Sequence, residues 1–331
     1  MNIVFATSDL YSKPAHITLK SMLVNNREVE DITVFYVENG LTEESKERLK
    51  KLINQYKREI VFIPMPEWLN SISGLLRTNA IAYTYCYFQD ILPETVDKVL
   101  LLEGDTIVTD NLTEFYDIDI SDYYLAASDD LQSKWCKEKV GIKATSPYFN
   151  SGVMLINLKK MREDNITPKI TEIIKSGKAK FLYEVQDEMN VLLEGHVKII
   201  PPKFNCTTAI FLFDYKNMKK YRRPTTYCTK EEFDEAKKHP VVVHFTKNQI
   251  IQSRPWIEEC THPYKNYYLK VKSKTVLSDE PLWKSDRNKT NRLVNFLYAK
   301  ISKGLVARAL GIVHAFLYPV VLYKYILTKK A

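Results

Sequence analysis

Glycine is scarce in this 331-residue chain, nine in all, and none forms a GxGxxG after the first apolar run. That argues against a fibrous or glycine-rich design and weakens a nicotinamide-dependent oxidoreductase. The five cysteines (Cys86, Cys136, Cys206, Cys228, Cys260) are far apart, odd in number and without a CxxC pair. Neither a disulfide framework nor a zinc ribbon is expected, only reduced and partly buried thiols. No zinc-finger or other nucleic-acid signature accompanies the net charge of +8, so nucleic acid is not an expected partner. Internal repeats and low-complexity tracts are missing. The opening MNIVFATSD has no basic n-region or long apolar h-region, so a secretory signal is not expected.

What is present describes a globular α/β protein. Hydrophobic residues make up 45% and charged residues 27%, which suits a packed core rather than disorder. The 21 tyrosines supply amphipathic aromatic contacts. Short apolar runs at Ile3–Ala6, Ile32–Val37, Ile60–Ile63 and Lys98–Leu102 read as strands. Helix patterns lie between them at His16–Asn25, from Thr42 to about Tyr56, and at Ala80–Leu92, closed by Pro93. In the second helix Ser45 and Glu44 are placed near the orphan N–H groups of its first turn. Continuous apolar strands separated by helices predict a mainly parallel sheet covered on both faces. Val153–Ile156 and Val241–Phe245 are further central-strand candidates.

The composition changes near residue 265, dividing the chain into 1–264 and a basic, aromatic, helical region at 265–331. The basic stretch YYLKVKSK suits anionic partners such as nucleotide phosphates or an anionic membrane surface. Within residues 309–323 the run ALGIVHAFLYPVVLY contains His314 and Pro319 and falls short of the ~20 apolar residues of a span. An amphipathic segment in the membrane interface is the expectation; a helix packed on the protein's own core and a true span are the alternatives.

The most informative segment is KVLLLEGDTIVTDNL. Glu103 and Asp105 follow an apolar strand, where open α/β sheets bind ligands. Alternation turns both acids to one side, and Gly104 between them permits close approach of a ligand. Two hard oxygen ligands can share a divalent cation, which would also grip diphosphate oxygens. An acid-Gly-acid triplet alone is often a surface turn, but after KVLLL an unneutralised acidic pair is costly. His244, in VVVHFT, reads as either a hydrogen-bonded core histidine or a third ligand. Asn150, Ser151 and Gly152 precede an apolar strand and suit a sugar-binding turn or an ordinary one. Gln186 and Asp187 precede MNVLL and serve either a site or helix N-terminal polarity. Asp129 and Asp130 could bind acceptor hydroxyls or be plain loop acids.

Taken together, FATSDLYSKPAHITLKSML, LLEGDTIVTDNLTEFYDIDI, YFNSGVMLINL and VQDEMNVLLEGHVKIIPPKFN, then HFT and RPW, resemble glycosyltransferase family 8 over roughly residues 1–260. The resemblance implies a GT-A nucleotide-sugar-binding fold: Rossmann-like, with a mixed, mainly parallel sheet and flanking helices. It also implies a cation, Mn²⁺ or Mg²⁺, and a UDP-hexose donor transferred with retention to a glycan or lipid-linked glycan acceptor. Glu103, Asp105 and His244 match the metal ligands. Ala6, Thr7 and Asp9 fall in the uridine loop, and Gly104 in the donor site. Asn150, Ser151 and Gly152 match donor-sugar contacts. Gln186 lies beneath the anomeric carbon, with Asp187 beside it. Lys247 and Arg254 are near the phosphate-facing position. The chain departs from the pattern at Glu103, where aspartate is usual, and at Val185, where the family's Asp-Gln-Asp begins; Glu184 is the candidate replacement. It also departs at Tyr85, in place of a helix arginine, and at Lys247, in place of glycine. A protein that binds nucleotide-sugar without turnover is the alternative these changes raise. The expected setting is cytoplasmic, at the inner face of the plasma membrane.

Overall fold

Among the described residues, ten short strands, most of them apolar on both faces, build two sheets. The computed structural model describes residues 1–73, 80–176, 183, 185–285, 287–317 and 320. The strands are β1 (Asn2–Ser8), β2 (Thr33–Asn39), β3 (Glu59–Pro64), β4 (Lys98–Leu102), β5 (Thr106–Val108), β6 (Leu125–Asp129), β7 (Phe149–Asn157), β8 (Val197–Ile200), β9 (Cys206–Thr207) and β10 (Val242–His244). The large sheet runs β3-β2-β1-β4-β7-β6-β8. It is parallel except at β7, which is antiparallel to both β4 and β6. Alternation sends Val4, Leu101 and Met154 into one buried layer and Phe5, Leu100 and Leu155 into the other. This is the expected mixed, mainly parallel sheet with both faces covered.

One expected central strand lies elsewhere. β10 pairs antiparallel to β5 and parallel to β9, in a separate three-stranded sheet. The chain turns at Glu103–Asp105 after β4, so β5 leaves the large sheet and supplies β10 with its partner edge. An apolar run such as VVVHF reads alike in either sheet.

Helix α1 (Ser12–Asn25) begins four residues before the expected start, with Pro14 in its first turn. Helix α2 (Glu43–Asn54) is capped by Thr42, whose side chain accepts from the Ser45 N–H at 3.3 Å. The expected helix at 80–92 is divided: Ala80–Tyr87 is a 3₁₀ helix and only Phe88–Ile91 is α-helical. Every residue from Tyr83 to Gln89 is buried, so this stretch lacks the single solvent face of an amphipathic α-helix. Helix α3 (Val185–Leu192) carries Gln186 and stands against β7.

Toward the C-terminus, helix α4 (Tyr215–Arg222) receives helix α6 (Lys303–Ile312). The contact is close at Gly311, where a Cβ would lie 2.1 Å from the Lys220 carbonyl oxygen. His314 is buried beyond it, with Nε2 2.6 Å from Arg222 Nη1. One face of the segment expected to lie in a membrane interface packs on the protein itself, through Gly311, His314 and Ala315, while Ile312, Val313, Phe316 and Leu317 stay exposed. The helix between, α5 (Lys289–Lys300), buries no residue and leaves Leu293 and Phe296 exposed. Among the described residues no helix is long and apolar enough to cross a membrane. Glu184, Pro319 and residues 321–331 lie outside the described residues.

Candidate active site

The turn after β4 is held from two sides. The Glu103 N–H donates to the Gly152 carbonyl at 2.9 Å, extending the β4–β7 pairing by one residue. Thr106 Oγ1 donates to the Glu103 carbonyl at 2.8 Å, and Thr18 Oγ1 on α1 donates to the Gly104 and Thr106 carbonyls. Gly104 also lets α1 pack closely against the turn: a Cβ there would lie 3.1 Å from the Ala15 Cβ. With α1 pressed against the turn, Glu103 and Asp105 both face His244.

His244 Nε2 lies 3.2 Å from Glu103 Oε2 and 3.2 Å from Asp105 Oδ1. The three residues offer ligand atoms within 4.8 Å of one another. His244 Nδ1 donates to Asn205 Oδ1 at 3.0 Å, which fixes the ring with Nε2 toward the carboxylates. Burial would lower the His244 pKa, but Asp105 and Glu103 override it and hold the imidazole at about 10. Burial would raise the Asp105 pKa, yet His244 and Arg254 hold it below the ordinary carboxylate value. Two carboxylates, a ring nitrogen with its second nitrogen anchored, and a cation-sized separation fit a divalent metal ion. Gly152 makes room for the group: a Cβ there would lie 2.3 Å from Glu103 Oε2 and from His244 Cε1.

A chain of carboxamides runs outward from the imidazole. Asn205 Nδ2 donates to Asn150 Oδ1 at 2.9 Å, and Asn150 Nδ2 donates to Gln186 Oε1 at 3.2 Å. Gln186 Oε1 also accepts from the Ser151 N–H, while Gln186 Nε2 donates to Asp130 Oδ2 at 3.1 Å. Asn150, Ser151 and Gln186 line a cavity of about 260 Å³ whose walls include Glu103, Asp105, Gly152, Lys247 and Tyr85. Arg254 lies beside it, with Nη2 3.2 Å from Asp105 Oδ2 and Nη1 3.0 Å from the Tyr11 hydroxyl. A second cavity of about 370 Å³ shares the Asn150, Gln186 and Lys247 walls and continues past Asp130 and Arg222.

Several expected site residues lie outside these walls, Asp187 and Asp129 among them. Asp187 is buried behind Gln186, where it accepts from the Tyr148 hydroxyl at 2.5 Å and from the Tyr183 N–H. Asp129 turns the other way, accepting from Thr226 Oγ1 at 2.5 Å and the Leu131 N–H at 2.8 Å. Asp130, just past the end of β6, reaches Gln186, and Asp129 is held by Thr226 and the Leu131 N–H instead. Ala6 and Thr7 end β1 in buried positions, with Thr7 Oγ1 2.7 Å from the Tyr36 hydroxyl. Asp9 accepts from the Thr42 N–H and hydroxyl. Burial works against Asp9 ionisation, but these bonds hold its pKa below the ordinary value. Asn205 and Tyr11 were not singled out from sequence, although both lie inside the segments that carried the resemblance.

A sheet edge of this kind, with an acidic pair and an imidazole beside a polar cavity, is the site of a GT-A glycosyltransferase. The chain belongs to glycosyl transferase family 8, whose family model matches residues 2–260. It is 24% identical over 279 residues to General stress protein A of Bacillus subtilis, covering 83% of this chain and 94% of that one. It is 26% identical over 280 residues to a lipopolysaccharide 1,2-glucosyltransferase of Escherichia coli, covering 82% and 77%. The fold is that of galactosyltransferase LgtC, solved with donor and acceptor sugar analogues: TM-score 0.69 at 24% identity, over 85% of this chain and 98% of that one.

Proposed function

We propose that this glycosyltransferase moves glucose or galactose from a UDP-hexose to a glycan acceptor, with retention at the anomeric carbon, in surface polysaccharide or lipopolysaccharide-type synthesis. The observation that carries the reading is the convergence of Glu103, Asp105 and His244, from two separate sheets, on one cavity with Gln186, with Arg254 paired to Asp105 beside it. Glu103, Asp105 and His244 would hold Mn²⁺ or Mg²⁺, which supplies Lewis-acid stabilisation of the departing diphosphate. Arg254 adds a guanidinium beside the same oxygens. Ala6, Thr7 and Asp9 would seat the uridine, and Asn150, Ser151 and Gly152 the hexose, with Lys247 on the phosphate side. The acceptor hydroxyl attacks C1 as the bond from C1 to the diphosphate oxygen breaks. Its proton passes to that β-phosphate, so donor and acceptor share one face. Gln186 keeps its amide under the anomeric carbon because Asn150, Ser151 and Asp130 orient it. Asp130, in the wall of the second cavity, is the acceptor-side acid. Asp187 supports the site from behind, through Tyr148.

The test is metal-dependent release of UDP from UDP-glucose and UDP-galactose, with EDTA controls and Glu103→Ala and Asp105→Ala. Turnover lost in both variants supports the reading. Full metal-dependent turnover in both refutes the ligand assignment, and donor binding without any turnover identifies a nucleotide-sugar-binding protein instead.

We also infer that residues 265–331 form an appendage to the 1–264 catalytic domain and bring it to an anionic membrane surface, as a lipid-linked acceptor would require. The exposed Leu293, Phe296, Leu305 and Ile312 next to Lys300 and Lys303 support this, at the cytoplasmic face. Retention of the full chain, but not of Leu293→Asp/Phe296→Asp, on phosphatidylglycerol vesicles tests it.

A further inference from the structure

Behind the donor loop, away from the acidic cluster, α1 and α2 meet the segment after residue 272 around a cavity of about 230 Å³. His16, Arg48, Lys51, Gln55, Lys274 and Thr275 line it, and among the described residues no carboxylate does. Two of these side chains are buried and incompletely bonded. His16 is 2% exposed and Arg48 9%, yet neither His16 Nδ1 nor Arg48 Nε has a hydrogen-bond partner among the described residues. Buried polar groups ordinarily have partners, so two in one basic cavity point to a ligand that accepts hydrogen bonds. The guanidinium is already oriented: Arg48 Nη2 donates to Ser12 Oγ at 2.9 Å and Ser45 Oγ at 3.0 Å. Both of these bonds use Nη2, and the buried Nε has no partner among the described residues. Burial, then Arg48 and Lys20, push the His16 pKa down to about 3, so the ring is neutral and presents one N–H and one lone pair. Lys51 and Lys274 stand exposed at the mouth, where their ammonium groups can close on an anion.

We propose that this cavity is a binding site for a phosphate group, held by Arg48 and His16 at its base and by Lys51 and Lys274 at its rim. Phosphate fits better than a carboxylate because the lining offers several donors and cationic groups, which three or four oxygens can satisfy together. The Arg48 side chain also connects the cavity to the donor loop. Ser45 Oγ, which Arg48 holds, accepts from the Thr42 hydroxyl at 3.1 Å, and Thr42 in turn bonds Asp9. The source of the phosphate is either a free phosphate compound or a phospholipid headgroup, and the chemistry of recognition is the same for both.

The test does not depend on the transfer reaction. Inorganic phosphate is titrated by calorimetry into the full-length protein without metal. One saturable site is expected, weakened at least about tenfold in Lys51→Gln/Lys274→Gln. Both substitutions are on exposed side chains, so the melting temperature should not change. Arg254→Gln, at the donor site, should keep the affinity. Vesicles of phosphatidylglycerol make the second arm: binding that inorganic phosphate displaces, and that Lys51→Gln/Lys274→Gln loses, assigns a headgroup. Vesicle binding that ignores the pair leaves the phosphate site to a free compound. The proposal fails if phosphate does not saturate at millimolar concentration. It fails equally if Lys51→Gln/Lys274→Gln binds as wild type does, or if Arg254→Gln alone abolishes binding.

Discussion

Gly152→Ala puts a methyl group at the centre of the site and so tests the geometry directly. The new Cβ would lie 2.3 Å from Glu103 Oε2, 2.3 Å from His244 Cε1 and 3.1 Å from Glu103 Cδ. Gly152 is not among the glycines with positive φ, so alanine is accepted by the backbone and the effect is purely steric. The imidazole cannot retreat, because its side chain is 4% exposed and Asn205 holds Nδ1. Glu103, 27% exposed, must yield, and clearing even a tight contact requires a shift of roughly 1 Å. Metal–ligand distances tolerate only about 0.2 Å. A misplacement of about 1 Å in a catalytic arrangement costs on the order of 100-fold in rate. Metal-dependent UDP release should therefore fall about 100-fold, with a weaker metal midpoint and a stability loss of about 1–3 kcal/mol. Initial rates across a Mn²⁺ titration, with urea denaturation alongside, measure all three. Turnover within about threefold of wild type at every metal concentration would refute the argument, since it would mean that Glu103 and His244 do not need their present separation.

Other substitutions separate the ligands from their supports. Asn205→Ala removes the acceptor for His244 Nδ1 and should lower metal affinity about 10- to 100-fold while the far-ultraviolet circular dichroism stays unchanged. Gln186→Ala should reduce kcat with little effect on metal affinity. Asp187→Ala should instead appear as a stability loss of about 1–3 kcal/mol in urea, because the buried Tyr148 hydroxyl loses its partner. Asp129→Asn addresses pH dependence. Burial raises the Asp129 pKa from 3.8 to about 6, against the pull of Thr226 and Lys137, so the folded state binds the extra proton in that interval. Stability from this group is greatest below pH 4 and declines as pH rises through about 6. Asp129→Asn should flatten that decline and add roughly 1–3 kcal/mol at pH 7.5 in urea denaturation, with turnover unaltered.

The cluster of Glu103 and Asp105 was legible because of an energetic conflict in the sequence. A strand as apolar as KVLLL predicts burial, and two acids at its end are tolerable only with a counter-charge. The structure gives Asp105 that counter-charge twice, from His244 and from Arg254. The large sheet was legible for the same reason of patterning: its strands are apolar on both faces. Periodicity could not distinguish which sheet takes VVVHF, since a buried strand looks alike in both. It could not predict the 3₁₀ turn at Ala80–Tyr87, where burial on all sides erases the amphipathic signal. Nor could it choose between Asp129 and Asp130, because that requires knowing which residue faces the cavity. Asn205 was hidden for another reason. In PPKFN it reads as a turn residue, and its contact with His244 spans 39 positions, closed only when β9 pairs with β10.

That pairing explains how the site can depart at Glu103 and Val185 yet remain assembled. The register of β9 on β10 sets Thr207 opposite His244, which brings the preceding Asn205 to the imidazole. The register of β7 on β4 sets Val153 opposite Leu102, which brings Gly152 and Asn150 beside Glu103. Asn205 and Asn150 then bond each other, joining the small sheet to the large one at the point where the acids converge. Each carboxamide in the chain from His244 to Asp130 has its oxygen fixed by a donor, so none can flip without breaking two bonds. The framework thus orients the groups around the metal position through backbone register and amide polarity. Neither depends on the length of the side chain at 103, and the glutamate still brings Oε2 to 3.2 Å from His244 Nε2.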